Sequence, residues 1–154
     1  MAAEIERKFL VDTAVWTPRD KGTPYTQGYL SSAKERTVRV RREGERAVLT
    51  VKGPTRGVVR AEFEYPIPLA DAVAMFELCE KPLIEKVRHA EQHGGRTWEI
   101  DVFGGDNTGL VVAEVELAGE NDHVDVPAWA IREVSDDPRY FNANLVANPY
   151  TSWK

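Results

Sequence analysis

Charge in this chain recurs at every second residue, and it recurs in pairs of one sign. Glu4 and Glu6 form one such pair, with Ile5 between them. The same spacing gives Arg39 with Arg41, Glu62 with Glu64, Lys86 with Arg88, Glu99 with Asp101 and Glu114 with Glu116, each with an apolar residue between its members. Period two is the period of a strand, whose successive side chains point to opposite faces. The chain is therefore expected to consist mainly of strands that each carry one apolar and one charged face. A half-buried sheet with a solvated outer face is the ordinary solution for any one such strand. It strains when many strands share the habit. Members of a pair lie about 6.5–7 Å apart, and at an effective dielectric near 20 they repel by roughly 2.4 kcal/mol before screening. A merely solvated face would mix Thr, Ser, Lys and Glu. Compensation is expected instead. Divalent cations with oxygen ligands suit the acidic pairs, and phosphate suits the basic pairs, because Arg grips it through two N–H groups.

The charged face comprises Lys8, Arg39, Arg41, Lys52, Lys86 and Arg88 against Glu4, Glu6, Glu62, Glu64, Glu99, Asp101, Glu114 and Glu116, an acidic excess of two. Two divalent cations would reverse that balance. The face would then suit a triphosphate, which carries about four to five negative charges near neutral pH because its terminal group titrates near 6. The whole chain has 20 Lys and Arg against 25 Asp and Glu, a net charge of −5. That argues against a general nucleic-acid binder, which carries a basic excess. Cys79 is the single cysteine, so an intrachain disulfide framework and a Cys-cluster metal site are excluded, and His89, His93 and His123 match no zinc pattern, which argues against a His-ligated one.

At 154 residues the chain is of one-domain length. Strands are expected over residues 4–11, 25–32, 37–42, 46–52, 58–67, 83–89, 96–103 and 110–117, separated by Gly-containing turns. A helix is expected over 69–79, with Leu69, Val73, Phe76 and Cys79 at helical spacing. A second should start at Asp137-Pro138, a capping residue followed by proline. No apolar run is long enough for a membrane span. The first ten residues contain Glu4, Glu6, Arg7 and Lys8 rather than an apolar leader. A reducing, cytoplasmic setting and no membrane partner are the expectations.

Taken in order, these residues resemble a known family. Glu4-Ile5-Glu6-Arg7-Lys8 is similar to the E-x-E-x-K signature of the CYTH superfamily, the triphosphate tunnel metalloenzymes. Arg39-x-Arg41, Lys52, Glu62-x-Glu64, Lys86-x-Arg88 and Glu114-x-Glu116 follow in the family's order, and Glu133-Val134-Ser135 with Asp137-Pro138-Arg139-Tyr140-x-Asn142 resembles its closing motif. The likeness spans nearly the whole chain. It implies a mainly β (α+β) fold over 1–154: an eight-stranded antiparallel closed barrel enclosing a charged triphosphate tunnel, with peripheral helices. The apolar faces would point outward, partly under helices.

The resemblance also implies roles. Glu4, Glu6, Glu114 and Glu116 would ligate magnesium or manganese, and Glu62 and Glu64 a second ion or its waters. Asp101 joins the metal set, or with Glu99 pairs with Arg or Lys. Lys8, Arg39, Arg41, Lys52 and Arg88 would clamp phosphate oxygens. Lys86 and Tyr29 match a Lys–Tyr dyad that activates water in the inorganic-triphosphatase branch, and a water activated by metal is the other route. Arg139, Tyr140 and Asn142 either brace one tunnel mouth or cap a helix. The four tryptophans are expected to pack, with Trp98 facing outward under a helix. The implied reaction is hydrolysis of inorganic triphosphate to pyrophosphate and phosphate. A small organic triphosphate as substrate, as in thiamine triphosphatase, nucleoside triphosphatase or class IV adenylate cyclase, is the alternative, and a non-catalytic polyphosphate-binding module a second. A homodimer is the assembly the resemblance suggests, with no nucleic-acid partner.

Overall fold

The computed structural model describes residues 3–153. Nine strands form one sheet: β1 (Ala3–Val11), β2 (Thr23–Ser31), β3 (Thr37–Glu43), β4 (Arg46–Arg56), β5 (Val59–Ile67), β6 (Ile84–His93), β7 (Arg96–Phe103), β8 (Val111–Glu116) and β9 (Ala130–Glu133). Their order is β5-β4-β3-β2-β6-β7-β8-β1-β9, and β1 also pairs with β5, which closes eight antiparallel strands into a barrel. The seam is short. Among the described residues, Ala3, Glu4 and Ile5 pair with β5 there, opposite Ala61, Arg60 and Val59. At its other end β1 pairs with β9 instead. The β6–β7 hairpin turns on Gly94 and Gly95, both at positive φ (60° and 78°), as a two-residue hairpin turn requires.

Apolar residues of the odd parity on β1 and β8 and the even parity on β7 lie outside the barrel. Phe9, Trp98, Ile100, Ala113 and Val115 form a buried layer there with Trp16, Leu117 and Val124. Trp98 does face outward and is fully buried, but Trp129 and Phe9 pack on it rather than a helix. One helix, α1 (Leu69–Phe76), covers β3 and β4 and packs through Ala72 and Phe76 onto Val40 and Ala47. It ends three residues earlier than expected, and Val73, expected on its buried stripe, is half exposed. Cys79 follows the helix and lies so close to Gly28 of β2 that a Cβ there would approach its sulfur to 2.8 Å.

The interior is not charged along its whole length. Ile84 of β6, Phe103 of β7, Val112 of β8 and Leu10 of β1 share the parity of the charged residues, and Tyr29 of β2 lies opposite Arg39, yet they pack with Val134, Tyr140, Leu145 and Val146 of the C-terminal segment. That segment plugs one end of the barrel. The helix expected from Asp137 is broken. Asp137 caps a 3-10 turn, Pro138–Tyr140, and Phe141 is extended (φ −71°, ψ 131°). A short helix, α2 (Asn142–Ala147), then follows. It stops at Asn148 because Pro149 excludes the helical conformation from the residue before it.

Candidate active site

The charged pairs meet inside the barrel, on the wall of a cavity of about 680 Å³. Passing around the sheet, the signs segregate. β3 and β6 supply Arg39, Arg41, Lys86 and Arg88, with Tyr25 and Tyr29 of β2 between them. β7, β8, β1 and β5 supply Glu99, Glu114, Glu116, Glu6, Glu4, Glu62 and Glu64, with Lys8 and Lys52 placed among them. The cavity thus has a cationic arc facing an acidic arc.

Register answers much of the repulsion between like neighbours. Lys52 lies opposite Glu62 and reaches it at 3.4 Å and Glu4 at 2.9 Å. Arg88 lies opposite Asp101 and donates to both its oxygens, at 2.7 and 2.9 Å, and to Glu99 at 3.2 Å. Arg39 and Arg41 lie 3.7 and 3.9 Å from Glu64. Two like-charged oppositions survive: Glu6 with Glu116 and Glu99 with Glu114.

The acidic arc is where like charges collide. Burial, and then Glu114, pushes the Glu6 carboxyl well above the usual range, and the two side chains share a hydrogen bond. Burial acts the same way on Glu114, but Lys8, the hydrogen bond with Glu6, and Arg88 outweigh it and hold that carboxylate well below the usual range. Burial and the neighbouring Glu4 push Glu62 up to about 7. Carboxylates sharing one proton offer the oxygen set a hard divalent cation takes. The donors therefore fit such an ion in kind. Among the described residues no three carboxylates or imidazoles already surround one point, consistent with Lys52 holding Glu4 and Glu62.

The cationic arc has donors to spare. Arg39 is 8% exposed, and its Nε is buried with no acceptor. A buried guanidinium N–H without a partner is costly. Arg41 and Arg88 both lie over the Tyr25 ring, 5.0 and 4.8 Å from its centroid, which helps orient both guanidiniums.

Lys86 is 4% exposed. Burial, helped by Arg88 and Arg41 and opposed by Asp101, lowers its ammonium to about 7. Its Nζ donates to Asn142 Oδ1 at 3.0 Å and lies 2.8 Å from Asp101 Oδ2. Asp101 is already gripped by Arg88, which leaves the Lys86 proton the more weakly held.

Every residue expected at the site lines this cavity except Asp101. Asp101 is fully buried behind it, and both of its oxygens are taken by Arg88 and Lys86. The structure thus corrects its placing among metal ligands and supports pairing with Arg and Lys. Sequence reasoning missed Arg60, which shares the parity of Glu62 and Glu64, lines the cavity and donates to Thr37 Oγ1 at 2.7 Å. Simple parity would have found it. Gln27, which shares the parity of Tyr29 on β2, was equally legible.

Residues 2–150 match the CYTH domain family. The chain belongs to the CYTH family. It is 49% identical over 155 residues to an inorganic triphosphatase of Acetivibrio thermocellus, a match covering 100% of this chain and 99% of the relative. It is 33% identical over 148 residues to an inorganic triphosphatase of Nitrosomonas europaea, covering 92% and 95%. Among solved structures it resembles the crystal structure of an inorganic triphosphatase, at 31% identity and a TM-score of 0.67, over 95% of each chain. A crystal structure described as a putative adenylate cyclase of Bacillus halodurans, 14% identical with a TM-score of 0.59 over 78% of this chain and 84% of that one, shares the fold. Membership of the CYTH family, a family of metalloenzymes, implies dependence on a divalent metal, and the acidic arc is where this chain would hold it.

Proposed function

We propose that this CYTH protein hydrolyses inorganic triphosphate to pyrophosphate and orthophosphate inside the barrel. The observation that carries the reading is the segregation of sign: buried cations on β3 and β6 face paired carboxylates on β8, β1 and β5. A pure anion binder needs only the first set. Arg39, Arg41 and Arg88 bind the phosphate oxygens from the cationic arc, and Lys8 and Lys52 do so from among the carboxylates. Magnesium or manganese, two ions in all, would be held by Glu6, Glu114 and Glu116 and by Glu4, Glu62 and Glu64. Bound there, such ions offset the charge on the phosphates and on the departing pyrophosphate.

Water attacks the terminal phosphorus as the P–O bond to the pyrophosphate breaks. Lys86 in its neutral amine form, accessible near neutrality because its ammonium is lowered to about 7, takes the proton that this water gives up and becomes the ammonium. Tyr29 lines the cavity from the strand beside Lys86 and fixes the approach.

The test is phosphate release from inorganic triphosphate, ATP and thiamine triphosphate at matched concentrations, with Mg²⁺ and with excess chelator. Preference for inorganic triphosphate, lost on chelation, is the expected result. Undiminished release under chelator would overturn the metal assignment. Faster release from an organic triphosphate would overturn the substrate.

A further inference from the structure

Two amide side chains connect Tyr29 to Lys86, and the proposed hydrolysis does not use them. Gln27 lies on β2 two residues before Tyr29, with the same parity, and is fully buried. Its Nε2 donates to Tyr29 Oη at 3.0 Å and to Asn142 Oδ1 at 3.2 Å. Asn142 Oδ1 also accepts from Lys86 Nζ at 3.0 Å. The path Tyr29–Gln27–Asn142–Lys86 is continuous. Its last member before the lysine comes from the C-terminal segment, 56 residues away along the chain.

Donor counting gives the path its meaning. A lysine ammonium has three N–H groups and no acceptor. Two of them are engaged in the Lys86 contacts with Asp101 Oδ2 and Asn142 Oδ1. The third tetrahedral position carries the exchangeable proton, or the lone pair once it has left, and its direction follows from the other two. Asp101 alone would leave the amine free to rotate about one contact. On the other side, Gln27 occupies a lone pair of Tyr29 Oη and so leaves the phenolic proton free to donate elsewhere. Both oxygen lone pairs of the Asn142 amide are used, which pins its rotamer.

We infer that Asn142, locked by Gln27, is a positioning residue that aims the free valence of Lys86 into the cavity. The inference rests on the reading of Lys86 as the base. Docking of the C-terminal segment is then part of assembling the site, since Tyr140, Leu145 and Val146 in the plug carry Asn142 into place.

The experiment measures kcat and KM for inorganic triphosphate with Mg²⁺ across a pH series, with melting temperatures, for wild type, Asn142→Ala, Asn142→Asp and Lys86→Ala. The Asn142 side chain bonds to Gln27 and Lys86 and not to the backbone of α2, so both its variants should fold. Asn142→Ala is expected to lower kcat on the order of 10-fold to 100-fold, the scale of a misaimed catalytic group, with KM nearly unchanged. Asn142→Asp keeps the acceptor oxygen but sets a second carboxylate on Lys86. Its rate should fall near neutrality and recover at higher pH, a recovery that a merely structural role would not produce. The other charged groups facing Lys86 are Asp101 of β7, Arg88 of its own strand, Glu114 of β8 and Arg41 of β3, and they are common to these Asn142 variants. Wild-type kcat in folded Asn142→Ala would overturn the inference, as would an unshifted pH profile in Asn142→Asp. If Asn142→Ala does not fold, the Asn142→Asp profile decides alone. Wild-type kcat in Lys86→Ala would instead overturn Lys86 as the base. An inactive Lys86→Ala beside an unaffected Asn142→Ala would remove only the positioning role.

Discussion

Four strands of this barrel pass from charge to hydrocarbon within two residues on the same inner face. β1 goes from Lys8 to Leu10, β6 from Lys86 to Ile84, β7 from Asp101 to Phe103 and β8 from Glu114 to Val112. The strands, their parity and their hydrogen-bond ladder are shared, so backbone structure does not separate the two ends. Content does. At the plugged end apolar side chains meet the C-terminal segment and drive folding. At the charged end buried ions are desolvated, and their pairing returns only part of that cost. One end of a single barrel therefore supplies stability, and the other spends some of it on a site that holds anions and cations.

The sharpest way to break that division is Lys86→Met, which extends hydrocarbon by one layer into the charged end. If Lys86 is the base, activity should fall by about 10²- to 10⁴-fold, the usual contribution of a positioned general base. Stability should not fall with it. The folded protein holds the Lys86 ammonium below its ordinary value, so protonated Lys86 burdens the fold at neutral pH and below, and that burden fades as pH rises from about 7 toward the unfolded value. A melting temperature at pH 7 at or above that of wild type, with turnover lost, is the expected pair of results. Lost turnover with a collapsed melting temperature would mean that the two ends are not separable.

The converse variant is Leu145→Ala, in the plug. Leu145 is fully buried among Ile84, Leu110 and Val112. Truncating it should cost about 2–5 kcal/mol, the range for large-to-small changes in a packed core. Denaturant unfolding measures this directly. Turnover at a temperature where the variant is still folded should fall far less than in Lys86→Met.

The charged end was legible in the sequence because alternation converts directly into a face. Once Glu4, Arg39, Glu62, Lys86 and Glu114 are placed on strands, their partners two residues on must join them. The plug was not legible for the same reason. Leu10, Ile84, Phe103 and Val112 obey the same parity, and nothing along the strand says that the interior changes character there. Asp101 shows a further limit. Its parity puts it inward with Glu99, but only its register opposite Arg88 shows that its oxygens are already used. β9 carries Ala-Ile-Arg-Glu, four residues with too little alternation to announce a strand, and exists because β1 outruns β5 at the seam. The break at Phe141 likewise follows from Tyr140 turning into the plug, a tertiary demand that a capping signal at Asp137 does not carry.

The smallest effect, on the order of 1 kcal/mol, concerns the acidic arc of the metal-free protein. Glu62 titrates at about 7 when folded, above its usual 4.5, because burial and Glu4 oppose its charge. A carboxyl whose folded value is raised stabilises the fold while protonated in both states, and that stabilisation is lost as pH rises through the folded value. Glu4 works in the opposite sense. Burial pushes it up, but Lys52 and the hydrogen bond with Glu62 bring it below its usual value, so its contribution is lost as pH falls. Of the pair, Glu4 therefore sets the slope below 4.5, where Glu62 is protonated in both states, and Glu62 sets it above. Chelated protein should lose stability between pH 4.5 and about 7 in thermal melts, and Glu62→Gln should flatten that slope. Saturating Mg²⁺ should restore the lost stability at the high-pH end, since a cation takes the place of the shared proton between like charges. A slope unchanged in Glu62→Gln would assign the titration to Glu6, the other carboxyl of the arc that burial and a like-charged neighbour push up, and would move the first cation to its side of the barrel.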